Sequence, residues 1–203
     1  MPNRLAAAEL RSRSRPPERA ILTGVQGVWL KFSWDLAGRA FEPRVPTGYT
    51  LRQARPDEVE NVCRLALHSY RSDRIWDSII AQIETRLGAR IRATLGSPGT
   101  AYFVAAKGER LAGLSAASLV PHDGHHLITG VCVGREDQGR GLGRALLGAS
   151  LDWLARSGLA QAQAQVYTDP AAMAARHVYP AFGAVCVEAP EYLAPEHGAP
   201  KRS

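Results

Sequence analysis

Apolar positions recur along this chain with two periods, and the switches between them predict its elements. Val28, Leu30 and Phe32 alternate with Trp29, Lys31 and Ser33, which predicts a short strand or hairpin. Tyr49 to Ala54 reads as a strand. Pro56 with Asp57 and Glu58 then opens a helix whose stripe is Val59, Val62, Cys63, Ala66 and Leu67. A second helix is expected after Ser72 or Asp73, with Trp76, Ile79, Ile80, Ile83, Leu87, Ile91 and Leu95 on one face. Tyr102 to Ala106 and Leu111 to Val120 form a hairpin through the turn at Lys107 to Arg110. After the turn Pro121-His122-Asp123-Gly124, the run Leu127 to Val133 follows as a strand. Leu142, Ala145, Leu146, Ala149, Trp153 and Leu154 then mark a long helix ended by Gly158. A strand over Gln161 to Tyr167, a helix over Ala171 to Tyr179 and a strand over Ala184 to Val187 complete the pattern. The order β, α, α, β, β, β, α, β, α, β places antiparallel hairpins before helix-linked strands. It predicts an α/β (α+β) fold on a mixed sheet.

Composition bounds the class. A chain of 203 residues with 45% hydrophobic and 22% charged residues has room for one domain with a proper core. The punctuation divides it into a flexible basic arm (1–20), an extension of strand or hairpin plus linker (21–48), a main domain (49–190) and a tail (191–203). Trp29 and Trp34 in the extension need burial, against the main domain or at the interface of a homodimer. The arm carries Arg4, Arg11, Arg13, Arg15 and Arg19, and a solvated basic tail is the simplest account, since nothing else in the chain supports nucleic-acid contact. No run of about 18 apolar residues predicts a membrane span, and the N-terminus lacks the apolar core of a signal peptide, so cytoplasm is the default location. Cys63, Cys132 and Cys186 have no metal-ligand spacing and read as reduced buried thiols; no metal site is expected.

The chemistry concentrates at Gln138-Gly139-Arg140-Gly141-Leu142-Gly143, between a strand and a helix. Such a junction aims free backbone N–H groups and the positive end of a helix dipole at one point, which suits a phosphate. A Walker loop needs Lys-Ser/Thr after its last glycine, where this chain has Arg144-Ala145. A dinucleotide fingerprint needs G-x-G-x-x-G/A, and neither Gly139 nor Gly141 starts one. The pattern Q/R-x-x-G-x-G/A fits Gln138, Gly141 and Gly143 in full.

In the stretch from Val133 to Leu147 the sequence resembles the GNAT superfamily of acyl-CoA-dependent N-acyltransferases, and the resemblance extends over about residues 49 to 190. It implies a mostly antiparallel central sheet flanked by helices and splayed between the fourth and fifth strands of that domain. It implies acetyl-CoA as co-substrate, its pyrophosphate held by the loop and its pantetheine arm paired with the strand that carries Val131, Cys132 and Val133. On this reading Gly139, Gly141 and Gly143 let the backbone approach closely, the amides from about Gln138 to Arg144 donate, and Arg140 and Arg144 add charge. The phrase Tyr179-Pro180-Ala181-Phe182-Gly183-Ala184 matches the family's Y-x-x-x-G-F, with Ala184 in place of the aromatic. It implies Tyr179 as the general acid that protonates the departing thiolate. The family's Asn, seven residues before that tyrosine, is Ala172 here, with Asp169 close but out of register. Where some members carry a basic Glu, this chain has Leu127; His125 and His126 stand beside it as base candidates, His122 and Asp123 are weaker ones, and a water chain is the other route.

These assignments imply an N-acetyltransferase acting by direct transfer from acetyl-CoA to a primary amine. Tyr70, Arg71, Arg74 and Trp76 are candidates for the acceptor side, and a small molecule, a peptide N-terminus and a lysine side chain all fit. The competing expectation keeps the fold without turnover, as an acyl-CoA-binding sensor or interaction module.

Overall fold

The computed structural model describes residues 28–72, 74–77, 79–122, 124–168 and 174–188. The chain enters as strand β1 (Val28–Asp35), which alternates Leu30, Phe32 and Trp34 inward with Lys31, Ser33 and Asp35 outward. Over the described residues the extension supplies one strand. Burying three large apolar side chains of this kind contributes roughly 1.5–3 kcal/mol each. A linker then leads to β2 (Thr50–Gln53), a short 3-10 turn at Pro56–Glu58 and helix α1 (Val59–Arg71). Glu58 caps that start: its carboxylate takes two bonds from Arg52 and one from the Arg55 amide.

The second helix starts later than its apolar period predicts. Helix α2 spans Ile80–Thr94, and Arg74–Trp76 form a separate 3-10 turn. The Trp76 ring packs edge-on to Tyr70 at 5.0 Å, so it closes the turn between the helices and does not extend the α2 stripe. Strands β3 (Thr100–Lys107), β4 (Arg110–His122) and β5 (His125–Val133) follow as a meander. Helix α3 (Leu142–Arg156), β6 (Gln161–Thr168) and β7 (Val185–Glu188) complete the fold. The helix expected over residues 171–179 is described only from residue 174, where Ala174–Val178 make a single π-helical turn ahead of a 3-10 turn at Pro180–Phe182. Asp169 and Ala172 lie outside the described residues, as do the arm and the tail.

Two antiparallel sheets result, one ordered β2-β3-β4-β5 and the other β6-β1-β7. The first is covered on one face by α1 and α2, where Val62, Ala66 and Ile91 meet Tyr102, Val104, Leu114, Ile128 and Cys132. Its other face carries α3 through Leu142 and Leu146 against Ala105 and Ala112. The buried hydroxyls of Ser115 and Ser150 satisfy each other at 2.8 Å across that layer. Strands β5 and β6 lie side by side without a hydrogen-bond ladder, so the expected splay falls between them.

Strand β1 is the unexpected member. It pairs with β6 along its whole length, from Val28 opposite Thr168 to Asp35 opposite Gln161, and with β7 on its other edge. The segment that sequence punctuation sets apart from the main domain therefore supplies the middle strand of the second sheet. Trp34 is fully buried there, inside the domain core. The Trp29 side chain lies outside the described atoms.

Candidate active site

The site is built around an irregularity in β5. Ala116 of β4 pairs with Gly130, but the next residue, Ala117, pairs with Leu127, so β5 carries extra residues at Ile128 and Thr129. Thr129 repairs the ladder: its Oγ1 accepts the Ala116 amide at 3.1 Å. Its carbonyl accepts the Tyr70 hydroxyl at 2.9 Å and the Cys132 thiol at 3.6 Å. Gly130 turns the chain at φ +64°, a left-handed conformation that favours glycine. A Cβ there would stand 3.3 Å from the Tyr179 hydroxyl.

Tyr179 reaches this bulge from the opposite wall of the splay. Its side chain is buried, and its phenol oxygen accepts the Val131 amide. Burial, aided by Cys132, holds the phenol well above its ordinary value, and the Val131 amide partly opposes that shift. The group therefore keeps its proton throughout the physiological range and cannot serve as a base. Burial pushes the Cys132 thiol up to about 12, which makes it a poor nucleophile. Tyr70 is raised by the same desolvation. The Cys132 side chain points into the core beneath α1, so what it offers the splay is backbone.

The glycine loop follows from β5 through a 3-10 turn at Arg135–Asp137. Asp137 anchors that turn. Buried itself, it takes 2.7 and 3.0 Å bonds from Arg110 and a 2.7 Å bond from the Tyr49 hydroxyl, and Arg110 also reaches Glu136 at 2.8 Å. Arg110 first, and Tyr49 after it, keep the Asp137 carboxyl below the usual carboxylate range. The Gln138 side chain donates to the Val133 carbonyl at 3.2 Å and so braces the loop on β5. Gly139 and Gly141 sit at φ +73° and +87°, and no atom lies within 4 Å of a Cβ built on Gly139.

Two amides at the ends of the loop are already used: Gln138 donates to Arg135 and Arg144 to Gly141. Those of Gly139, Arg140, Gly141, Leu142 and Gly143 donate to no backbone carbonyl among the described residues. They head α3 as free donors of the kind a pyrophosphate takes, and Arg140 among them is exposed. Leu142 contributes only backbone, since its side chain is buried. Gly143 faces inward, where an added Cβ would lie 3.4 Å from Val131 and 3.6 Å from Val178. Arg144 reaches across to the His177 carbonyl at 3.4 Å and ties α3 to the segment bearing Tyr179.

The family to which these features point is decided by comparison. The profile of the Acetyltransferase (GNAT) family matches residues 62–184, more than half of the chain. The chain belongs to the GNAT acetyltransferase family. Solved structures with the same fold include a Drosophila protein (TM-score 0.55, 15% identity, covering 81% of this chain and 49% of that one). GCN5-related N-acetyltransferases from Sphaerobacter thermophilus (0.54, 16%, 78% and 48%) and Kribbella flavida (0.54, 17%, 80% and 55%) are equally similar. This GNAT chain spans about half the length of those proteins. No curated protein matches it.

Within the GNAT domain, the remaining candidates lie on other elements. His125 and His126 stand at the turn end of β5, with His125 opposite His122, four residues or more upstream of Gly130 and roughly 13 Å along an extended strand. Burial, then the neighbouring His125, lowers the His126 value. Arg71 is paired with Glu84 at 2.6 Å, Arg74 is exposed, and the Tyr70–Trp76 pair lies over the bulge through the Tyr70 bond to Thr129. Asp123 is not described. Among the described residues there is no cluster of three or more His, Cys, Asp or Glu, and no helix is long and apolar enough to cross a membrane. Sequence reasoning missed Gly130 and Thr129. The signal was available: a glycine inside a β-branched run marks a bulge or a close approach.

Proposed function

We propose that this GNAT protein is an N-acetyltransferase that moves an acetyl group from acetyl-CoA to a primary amine by direct transfer. The observation that carries the reading is the meeting of Tyr179, the Val131 amide and the Gly130 bulge at the head of the splay. In this reading the amides of Gly139 to Gly143 and Arg140 hold the pyrophosphate, and the backbone of Val131, Cys132 and Val133 pairs with the pantetheine arm. Acetyl-CoA supplies an activated thioester. A backbone N–H near Val131 polarises its carbonyl, and Tyr179 gives its proton to the departing thiolate. Burial that raises the phenol also raises a thiol beside it, so donor and acceptor stay matched. The raised thiol of Cys132 favours direct transfer over an acyl-enzyme. Tyr70 and Trp76 form the acceptor wall, and the lowered value of His126 favours its neutral form, which at this distance from the bulge takes the proton of the amine through a water chain.

The test is free-thiol release from acetyl-CoA against a panel of small amines, peptide N-termini and lysine peptides. Tyr179→Phe is expected to lower kcat by about 10²–10⁴-fold with little change in KM for acetyl-CoA. Binding of CoA with no turnover on any amine sinks the reading and leaves an acyl-CoA-binding module, whereas wild-type kcat in Tyr179→Phe removes the general-acid role from Tyr179.

A further inference from the structure

We infer that the N-terminal strand β1 is part of the catalytic apparatus: Phe32 and Trp34 are positioning residues that hold Tyr179 in register with the Gly130 bulge. The inference rests on Tyr179 being the general acid. The described residues around Tyr179, 174 to 183, form one π-helical turn and one 3-10 turn, joined through the bond from the Tyr179 amide to the Ala174 carbonyl. Turns this short do not fix a side chain by backbone bonding alone. The phenol must be fixed by what it packs on.

Those contacts come from β1. The Tyr179 ring lies 5.0 Å from Phe32 in a tilted arrangement and 5.5 Å from Trp34 at 89°. Its hydroxyl end meets Gly130 and the Val131 amide, so strand β5 holds one end of the residue and strand β1 the other. Phe32 and Trp34 are themselves immobilised. Both are buried, both sit on the inner face of a strand paired on two edges, and both pack in the cluster with Leu147, Leu151 and Leu154 of α3. The linker after β1 continues the grip. Phe41 packs on Phe182 at 6.2 Å, Arg39 stacks on Phe41 at 4.9 Å, and an Arg39 nitrogen stands 2.9 Å from where a Gly183 Cβ would be. Residues 32 to 41 thus enclose the Tyr179–Gly183 turn from its first residue to its last.

The experiment measures kcat and KM for Phe32→Leu and Trp34→Leu, each in the wild-type and in the Tyr179→Phe background. A displacement of the order of 1 Å at a reacting group costs up to about a hundredfold in rate, so a drop of roughly 10- to 100-fold in kcat is expected, with KM for acetyl-CoA held. The same substitutions should add nothing once Tyr179 is phenylalanine. Ser33→Ala, on the outer face of the same strand, should leave kcat unchanged, and Trp34→Phe should restore most of it. Equal losses in both backgrounds, or wild-type kcat in the leucine variants while Tyr179→Phe is slow, overturn the inference alone. A Tyr179→Phe enzyme with full kcat removes the acid assignment, and this inference with it. If the leucine variants do not fold, the amide resonances of Gly130 and Val131 decide: they should shift in Trp34→Phe and not in Ser33→Ala, and the absence of that difference refutes the clamp.

Discussion

Replacing Gly130 by alanine separates the backbone requirement of the bulge from its contact with Tyr179. At φ +64° an alanine is strained by about 1–2 kcal/mol. The new Cβ would also stand 3.3 Å from the Tyr179 hydroxyl, so the phenol must shift by a few tenths of an ångström. That shift weakens its bond with the Val131 amide, worth about 1 kcal/mol. The sum, roughly 2–3 kcal/mol, corresponds to a fall in Tm of about 4–12 °C for a domain of this size. The rate should fall about tenfold, because the displaced atom is the one assigned to proton transfer. Gly108 provides the control. It sits at φ +60° in the β3–β4 turn with nothing within 4 Å of an added Cβ. Gly108→Ala therefore carries the strain without the contact, and should lower Tm while leaving kcat intact. Thermal melts and thiol-release kinetics on the two variants suffice. If Gly130→Ala keeps wild-type kcat, or if both variants lose activity alike, the geometric link between bulge and phenol is refuted.

Three further outcomes follow from the same contacts. Asp137→Asn removes the charge and one of the two oxygens that accept from Arg110 and Tyr49, and should raise KM for acetyl-CoA several-fold while lowering stability by about 1–2 kcal/mol; unchanged KM means the loop does not depend on this anchor. Gly141→Ala, at φ +87° in the loop, should weaken CoA binding measured by calorimetry far more than it lowers kcat at saturating acetyl-CoA. Arg52 first, with the Arg55 amide, holds the buried Glu58 carboxyl at about 2 against an ordinary 4.5. A depressed carboxyl stabilises the fold above pH 4.5 and loses that contribution as pH falls towards 2. Urea melts at pH 5 and pH 3 should show wild type losing roughly 1–2 kcal/mol more than Glu58→Gln, allowing for the partial exposure of Arg52.

Much of this GNAT fold was legible in the sequence because its signals are local. The apolar run of Tyr102 to Ala106 and the glycines at 139, 141 and 143 each act within one turn or one strand, and each appears where expected. The second helix misled because its apolar period runs back through Trp76, while the ring instead closes on Tyr70, a contact invisible to a helical wheel. Arg144 reads as a phosphate ligand from its place after the loop, and the bond from its guanidinium to the His177 carbonyl is a long-range contact that spacing does not show.

By itself, then, the sequence determined the order of strands and main helices, the glycine-rich strand-to-helix junction at Gln138 to Arg144, and Tyr179 as the candidate acid, since these rest on residue type and short spacing. Only the tertiary structure decided that β1 enters the second sheet between β6 and β7, and that Phe32 and Trp34 wall in Tyr179. An alternating strand says which of its faces is buried and nothing about which edges it will pair with. Those partners lie more than a hundred residues away, and choosing them depends on which strand slot the rest of the chain leaves to be filled.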